Sequence, residues 1–202
     1  MKRLQFRIHI PIILLSIIML FTNASAENNN GAVTVAAGIS IPLRPSAVTD
    51  NYGIGPNVGF GLCYDPARIL EIEPRVIFNS FPHQDHESFK LFEIGADIKI
   101  YTQERRPERL ATYLVIGPGL SYMSYSNGEE LWGDKFDKES RTGTETDFGM
   151  SFGLGIEHPV VPGFGVFMDI RYAIDYGEYN VVTYLPIRFG LKFSSKRQGA
   201  GR

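Results

Sequence analysis

Asp147-Phe148-Gly149-Met150-Ser151-Phe152-Gly153-Leu154-Gly155-Ile156-Glu157 sets a bulky apolar side chain at every second position and places glycine, serine or a carboxylate between them. Side chains alternate across a strand, so this segment has one broad greasy face and one small polar face. A soluble strand fills its wet face with Thr, Lys or Glu, because glycine there weakens the strand and packs nothing. In a narrow closed barrel the demand is reversed: the inward face has little volume to fill, and the bulky set faces lipid. The pattern therefore points to a membrane barrel.

The same period of two runs along the rest of the chain and gives eight strands, at about 32–43, 57–64, 69–79, 89–101, 111–124, 147–157, 164–176 and 181–193. The first sets Val33, Val35, Ala37 and Ile39 against Thr34, Ala36, Gly38 and Ser40. The seventh sets Val166, Met168, Ile170 and Tyr172 against Gly165, Asp169, Arg171 and Ala173. The fold class expected is all-β, an eight-stranded antiparallel up-and-down transmembrane β-barrel. Short connections at 65–68, 102–109 and 158–163 alternate with segments at 44–56, 82–88, 126–146 and 177–180 that are longer on average. That asymmetry fits a barrel with the longer group outside and both chain ends on the periplasmic side. Tyr64, Tyr101, Tyr113 and Phe193 are expected in one aromatic girdle, and Phe78, Phe89, Tyr122, Tyr172 and Tyr176 in the other. Pro74, Pro118 and Pro186 fall inside strands, where each deletes a ladder donor, so bulges or shortened strands are expected there.

Residues 1–26 carry the marks of an export signal: Lys2, Arg3 and Arg7, an apolar run from Ile10 to Phe21, and the small-residue site Ala24-Ser25-Ala26. The run is too short for the roughly 20 residues that span a bilayer as a helix. Cleavage removes three of the 20 Lys and Arg and none of the 22 Asp and Glu, leaving a formal charge of −5. That balance argues against a nucleic-acid partner. Cys63 is the single cysteine, so an internal disulfide is excluded. The expected organisation is a signal peptide at 1–26, a barrel domain at 27–193 and a basic tail at 194–202.

The glycine-laced strands, Leu70-Glu71-Ile72-Glu73-Pro74-Arg75 followed by Phe78, Gly117-Pro118-Gly119-Leu120, and the closing Ile187-Arg188-Phe189-Gly190-Leu191-Lys192-Phe193 resemble the small outer-membrane β-barrel domain proteins. The resemblance spans nearly all of the chain after residue 26. It implies an outer-membrane location in a Gram-negative bacterium, contact with outer-membrane lipid and lipopolysaccharide, and a last strand whose terminal aromatic is read by the barrel-insertion machinery. Gly190 and Phe193 match that insertion pattern. Nine residues, Ser194 to Arg202, follow Phe193, and here the chain departs from the family.

With this phasing, Glu71, Glu73, Glu93, Asp97, Glu157, Asp169 and Asp175 face inward together with Arg75, Lys99, Arg171, Arg188 and Lys192. Isolated buried charges cost several kcal/mol or more, so these groups are expected to pair and close the interior. Arg75, Arg171 and Arg188 are the expected organisers, since one guanidinium can bridge two carboxylates. Eight strands leave an interior that side chains nearly fill, which favours an ion-paired plug over a conducting pore.

Two loops carry other chemistry. His83, Asp85, His86 and Glu87 mix imidazole and carboxylate, but the spacing lacks the geometry of a metal site, and neither metal nor cofactor is expected. His86-Glu87-Ser88 is similar to the His-x-Ser arrangement of outer-membrane lipid A deacylases over those residues alone, and Glu93 orients the base only if folding brings it near. In the third long loop, Gly128 to Asp137, Trp132 and Phe136 stand among acidic residues and either anchor a partner or fold back on the rim. The reading is a monomeric barrel with a structural or surface-interaction role carried by its loops, and no enzymatic activity. Two alternatives stand beside it: a lipid-modifying enzyme on the same barrel, and a soluble exported barrel that binds a small apolar ligand.

Overall fold

Alternation with a period of two specifies strands that are greasy on one side only, and a sheet of such strands buries its other side by closing on itself. A computed structural model describes residues 31–83, 87–105, 109–125, 143–177 and 181–194. The strands are β1 (Gly31–Arg44), β2 (Gly55–Ala67), β3 (Leu70–Phe81), β4 (Phe89–Tyr101), β5 (Ala111–Tyr125), β6 (Gly143–Val161), β7 (Phe164–Tyr176) and β8 (Val181–Ser194). Each pairs antiparallel with its sequence neighbour, and β8 closes on β1 to complete the barrel. No sheet edge is left unpaired, the condition for crossing hydrocarbon with strands. Among the described residues no helix is long and apolar enough to cross a membrane.

The bulky set stands outside. Phe60, Ile98 and Leu154 are 45, 38 and 58% exposed, and Phe189 is 61% exposed, whereas Thr34, Asn79, Asp97 and Arg171 are almost wholly buried. A wall apolar on the outside around a charged interior inverts the soluble arrangement, so hydrocarbon is the solvent that suits it. The soluble-barrel alternative requires the opposite phase and is excluded by this wall.

Glycine on the inner face makes room for rings. Phe167 pairs with Gly190 across β7 and β8, and a Cβ at position 190 would sit 2.1 Å from the Phe167 ring. Tyr113 pairs with Gly155 in the same way, with 2.2 Å to the ring. Three of the aromatics expected in the girdles are inside, Tyr113 in the room that Gly155 leaves, Tyr101 and Phe89 by the inward phase of β4. Tyr101, Tyr113 and Phe89 are 2, 1 and 0% exposed and fill the lumen. Phe78, Tyr122, Tyr172, Tyr176 and Phe193 do face outward.

The prolines produce neither bulges nor shortened strands. Opposite Pro74, the β2–β3 ladder skips from Gly61↔Arg75 to Tyr64↔Ile72 in unchanged register. The β4–β5 ladder skips from Gly95↔Gly119 to Ile98↔Ile116 at Pro118, and the β7–β8 ladder from Ile170↔Ile187 to Ala173↔Tyr184 at Pro186. Each proline thus opens a gap two pairs long on one side, while its other side stays paired with Ala96, Met150 or Ser40. The register shifts lie elsewhere, between Pro42 and Arg44, Tyr64 and Ala67, and Pro159 and Val161.

One element was not expected. The helix α1 (Ser46–Asn51) follows Pro45 in the first long connection. Val48 and Tyr52 are 1 and 2% exposed and join Phe81, Phe89, Leu91 and Tyr184 in an apolar cluster. The cluster fills the lumen at the end opposite Gly31 and Ser194, with Phe81 stacked on Phe89 at 5.6 Å.

Candidate functional site in the charged lumen

Below the apolar cluster, inward positions of β3, β4, β7 and β8 bring three guanidinium groups around two aspartates. Arg75 donates to Asp97 at 2.5 Å and to Glu93 at 2.9 Å. Arg171 lies 2.7 Å from Asp97 and donates to Asp169 at 3.0 and 3.1 Å. Arg188 donates two bonds to Asp169, at 2.9 and 2.8 Å, and reaches within 3.9 Å of Asp97. Each arginine therefore faces two carboxylates, and Arg171 and Arg188 both grip Asp169 through two bonds, the bidentate geometry of the strongest class of protein hydrogen bond.

A second cluster occupies the end that carries Gly31 and Ser194. Glu71, with no exposure, accepts from Lys192 at 2.5 Å, Lys99 at 2.9 Å and Arg105 at 2.8 Å. Lys99 also pairs with Glu73 at 2.5 Å, and Lys192 with Glu157 at 3.0 Å. Thr34 donates to Glu73, and the Tyr101 hydroxyl lies 2.8 Å from Glu157. Lys99 also sits 5.3 Å from the rings of both Tyr113 and Phe167, close enough for a cation–π contribution. Arg105, in the β4–β5 connection, also pairs with Asp65 at 2.6 Å. Neither Arg105 nor Asp65 belongs to the set read from alternation, because both lie where the strict period ends.

The remaining site residues sit as follows. Asp175 is buried on β7 opposite Gly149, and its carboxylate occupies the space that a Cβ at position 149 would take. Gly190 lies in the lumen under Phe167, and Phe193 faces outward with its ring 5.4 Å from Phe164. Trp132, Phe136, His86, Asp85, residues 1–26 and residues 195–202 lie outside the described residues. Ser88 is half-buried, while Glu93 is turned into the lumen and held by Arg75 and by the Tyr184 hydroxyl. That engagement leaves Glu93 committed to the lumen network. His83 packs its ring edge-on against Tyr52 at 4.9 Å.

One ligand-type grouping went unread in the sequence. Cys63, Glu71 and Glu73 bring one donor atom each within 4.8 Å of one another, all buried. The two carboxylates already face Lys99, Lys192 and Arg105, so their charge is spent on cations of the protein itself. A divalent ion there would have to displace those ammonium and guanidinium groups.

A closed antiparallel barrel of eight strands, apolar outside and charged inside, defines a transmembrane β-barrel. The sequence matches the outer membrane protein beta-barrel domain family over residues 12–193. The chain belongs to that family, and its place is the outer membrane. Among solved structures, it is similar to Neisserial surface protein A, with a TM-score of 0.61 and 16% identity, covering 81% of this chain and 96% of that one. The N-terminal barrel domain of Pseudomonas aeruginosa OprF gives a TM-score of 0.47 at 12% identity, covering 81 and 98%. Ail of Yersinia pestis gives 0.46 at 14% identity, covering 81 and 97%. No curated protein sequence matches the chain.

Proposed function

We propose that the protein is a monomeric outer-membrane barrel with a structural or surface-interaction role, its lumen closed by charged side chains and its exposed loops carrying contact with the outside. The observation that carries this reading is the engagement of the inward charges. Arg75, Arg171 and Arg188 are committed to Glu93, Asp97 and Asp169, and Lys99 and Lys192 to Glu71, Glu73 and Glu157. Groups locked in mutual pairs are poor acids, bases or ligands, which moves the interacting surface to the loops. The same commitment supports a role without enzymatic chemistry, with Glu93 drawn away from any Ser88 chemistry.

Phe193 and Gly190, on the closing strand, are the residues we assign to recognition by the barrel-insertion machinery, with residues 194–202 as a tail beyond it. Trp132 and Phe136 are the anchors we assign to a surface partner, because aromatics in a charged stretch of sequence supply contact area at low entropic cost. The test is deletion of Gly128 to Asp137, with heat-modifiable gel migration as the control for barrel insertion. The expected result is normal insertion with loss of binding to the surface partner or matrix. Unchanged surface binding would eliminate the loop as the interacting element.

A further inference from the structure

Even-numbered residues of β1 face the lumen, since Thr34, Ala36 and Ser40 are buried there. Continued strictly, that parity would turn Arg44 inward. The register shift between Pro42 and Arg44 instead pairs Arg44 with Thr183. On β8 the inward positions are Val182 and Tyr184, so Thr183 and its directly paired neighbour both belong to the outer wall. Bulges commonly re-aim one side chain in this way.

The re-aimed arginine borders a hollow of about 380 Å³ on that wall, lined also by Tyr172, Ile174, Tyr176, Val181 and Thr183. Tyr172 and Tyr176 are outer-wall aromatics, 41 and 49% exposed. Thr183 is only 5% exposed, yet its Oγ1 has no hydrogen-bond partner. A buried hydroxyl without a partner costs about 1–3 kcal/mol, so a site that keeps one has a reason to. Among the described residues, no ion pair holds Arg44. A guanidinium with no ion pair among the described residues, a buried unpartnered hydroxyl, an apolar floor and two tyrosines therefore converge at the loop-bearing end of a wall that faces lipid.

We propose that this hollow seats the phosphate-bearing headgroup of an outer-leaflet lipid, with Arg44 and Thr183 Oγ1 on the phosphate and Ile174, Val181 and the tyrosine rings against the first acyl carbons. The guanidinium fork fits phosphate oxygens, and Tyr at the membrane interface keeps an apolar body in lipid and a polar tip in water. The choice of the outer leaflet rests on the reading that places the long loops outside. Binding in detergent does not depend on that orientation, so the two stand or fall separately.

The test is native mass spectrometry of the folded barrel in detergent with lipid A carrying both phosphates, lipid A stripped of phosphate, and inorganic phosphate alone. One phosphorylated lipid A is expected to remain bound to the wild-type barrel. Removal of the phosphates, or Arg44→Ala, is expected to weaken retention roughly tenfold, the usual worth of a hydrogen bond to a charged group. Thr183→Val keeps the shape and deletes the hydroxyl; it is expected to weaken retention several-fold while the unfolding temperature holds or rises. Both variants are checked for the heat-modifiable gel shift. Equal retention by Arg44→Ala, indifference to the lipid phosphates, or occupation by inorganic phosphate as readily as by lipid would each overturn the proposal.

Discussion

Asp97, on β4, takes its cationic neighbours from three other strands: Arg75 on β3, Arg171 on β7 and Arg188 on β8. The β4 strand adjoins only β3 and β5, so the pair with Arg171 crosses the lumen and ties opposite walls. A fully desolvated charge that loses its partner is left uncompensated, and breaking such a pair costs about 3–5 kcal/mol. Arg171→Met, which retains much of the side-chain volume and deletes the charge, is therefore expected to lower stability by that amount. Urea unfolding in lipid vesicles, read by gel mobility, measures it. The double variant Arg171→Met/Asp97→Asn is expected to lose less than the two single losses combined, because each single change leaves the buried layer one charge out of balance and the double change restores the balance. Strict additivity would mean that the pair does not act as a unit. That Asp97 and Arg171 face inward follows from alternation alone. That they meet does not: partners across a lumen depend on the stagger and tilt of the strands, and a period of two carries no information on either.

At the scale of elements, the alternation that placed β4 and β7 to the residue lost its hold at the strand ends. There β6 begins at Gly143 and runs on through His158 to Val161, while β2 extends through a bulge to Ala67. The helix α1 was hidden for a different reason. Six residues offer too short a run for helical periodicity, and the two side chains that seat the segment, Val48 and Tyr52, are separated by ordinary loop residues. Its place depends on tertiary burial, since so short a helix is not stable in isolation. Val48→Arg puts a charge where the structure has a fully buried methyl pair, and is expected to unseat α1 without opening the barrel. Limited proteolysis in detergent is expected to cut within residues 46–51 of this variant and to leave the wild type intact there, with the heat-modifiable shift unchanged in both. Cleavage of the wild type at the same site and rate would show that Val48 does not hold the helix down. The prolines carry the opposite lesson. Pro74, Pro118 and Pro186 each lack a donor on the side where the ladder gaps, and the unbroken register on either side of each gap carries the strand past it.

For the whole molecule, eight strands and their closure were legible because a wall seen by lipid on one side and by packed side chains on the other imposes the same rule on every strand. The aromatic residues were less so: Tyr101, Tyr113 and Phe89 obey the inward phase, but strand-end position suggested girdles, and only for Tyr113 does a paired glycine, Gly155, mark a ring laid across the lumen. Conduction is decided by the sum of these layers. An ion entering from the loop end meets Val48, Tyr52 and the stacked Phe81 and Phe89 first, then the three arginines, then Glu71 with its three cations. Passing the arginine layer requires separating Arg171 from Asp97 and Asp169, which strands buried charge of both signs, and a permeant ion repays that only if water follows it. Eight strands give an interior just wide enough for side chains to fill. The wild-type barrel in a planar bilayer is therefore expected to be silent, with no steady openings across a voltage ramp. Replacing residues 45–53 by a short turn takes Val48 and Tyr52 out of the apolar mouth and leaves both charged layers, and this variant is expected to be silent as well. Steady openings in the variant alone would assign closure to α1 rather than to the ion pairs. Steady openings in the wild type would mean that the pairs exchange partners fast enough to let water through, and the closed lumen proposed above would have to be given up.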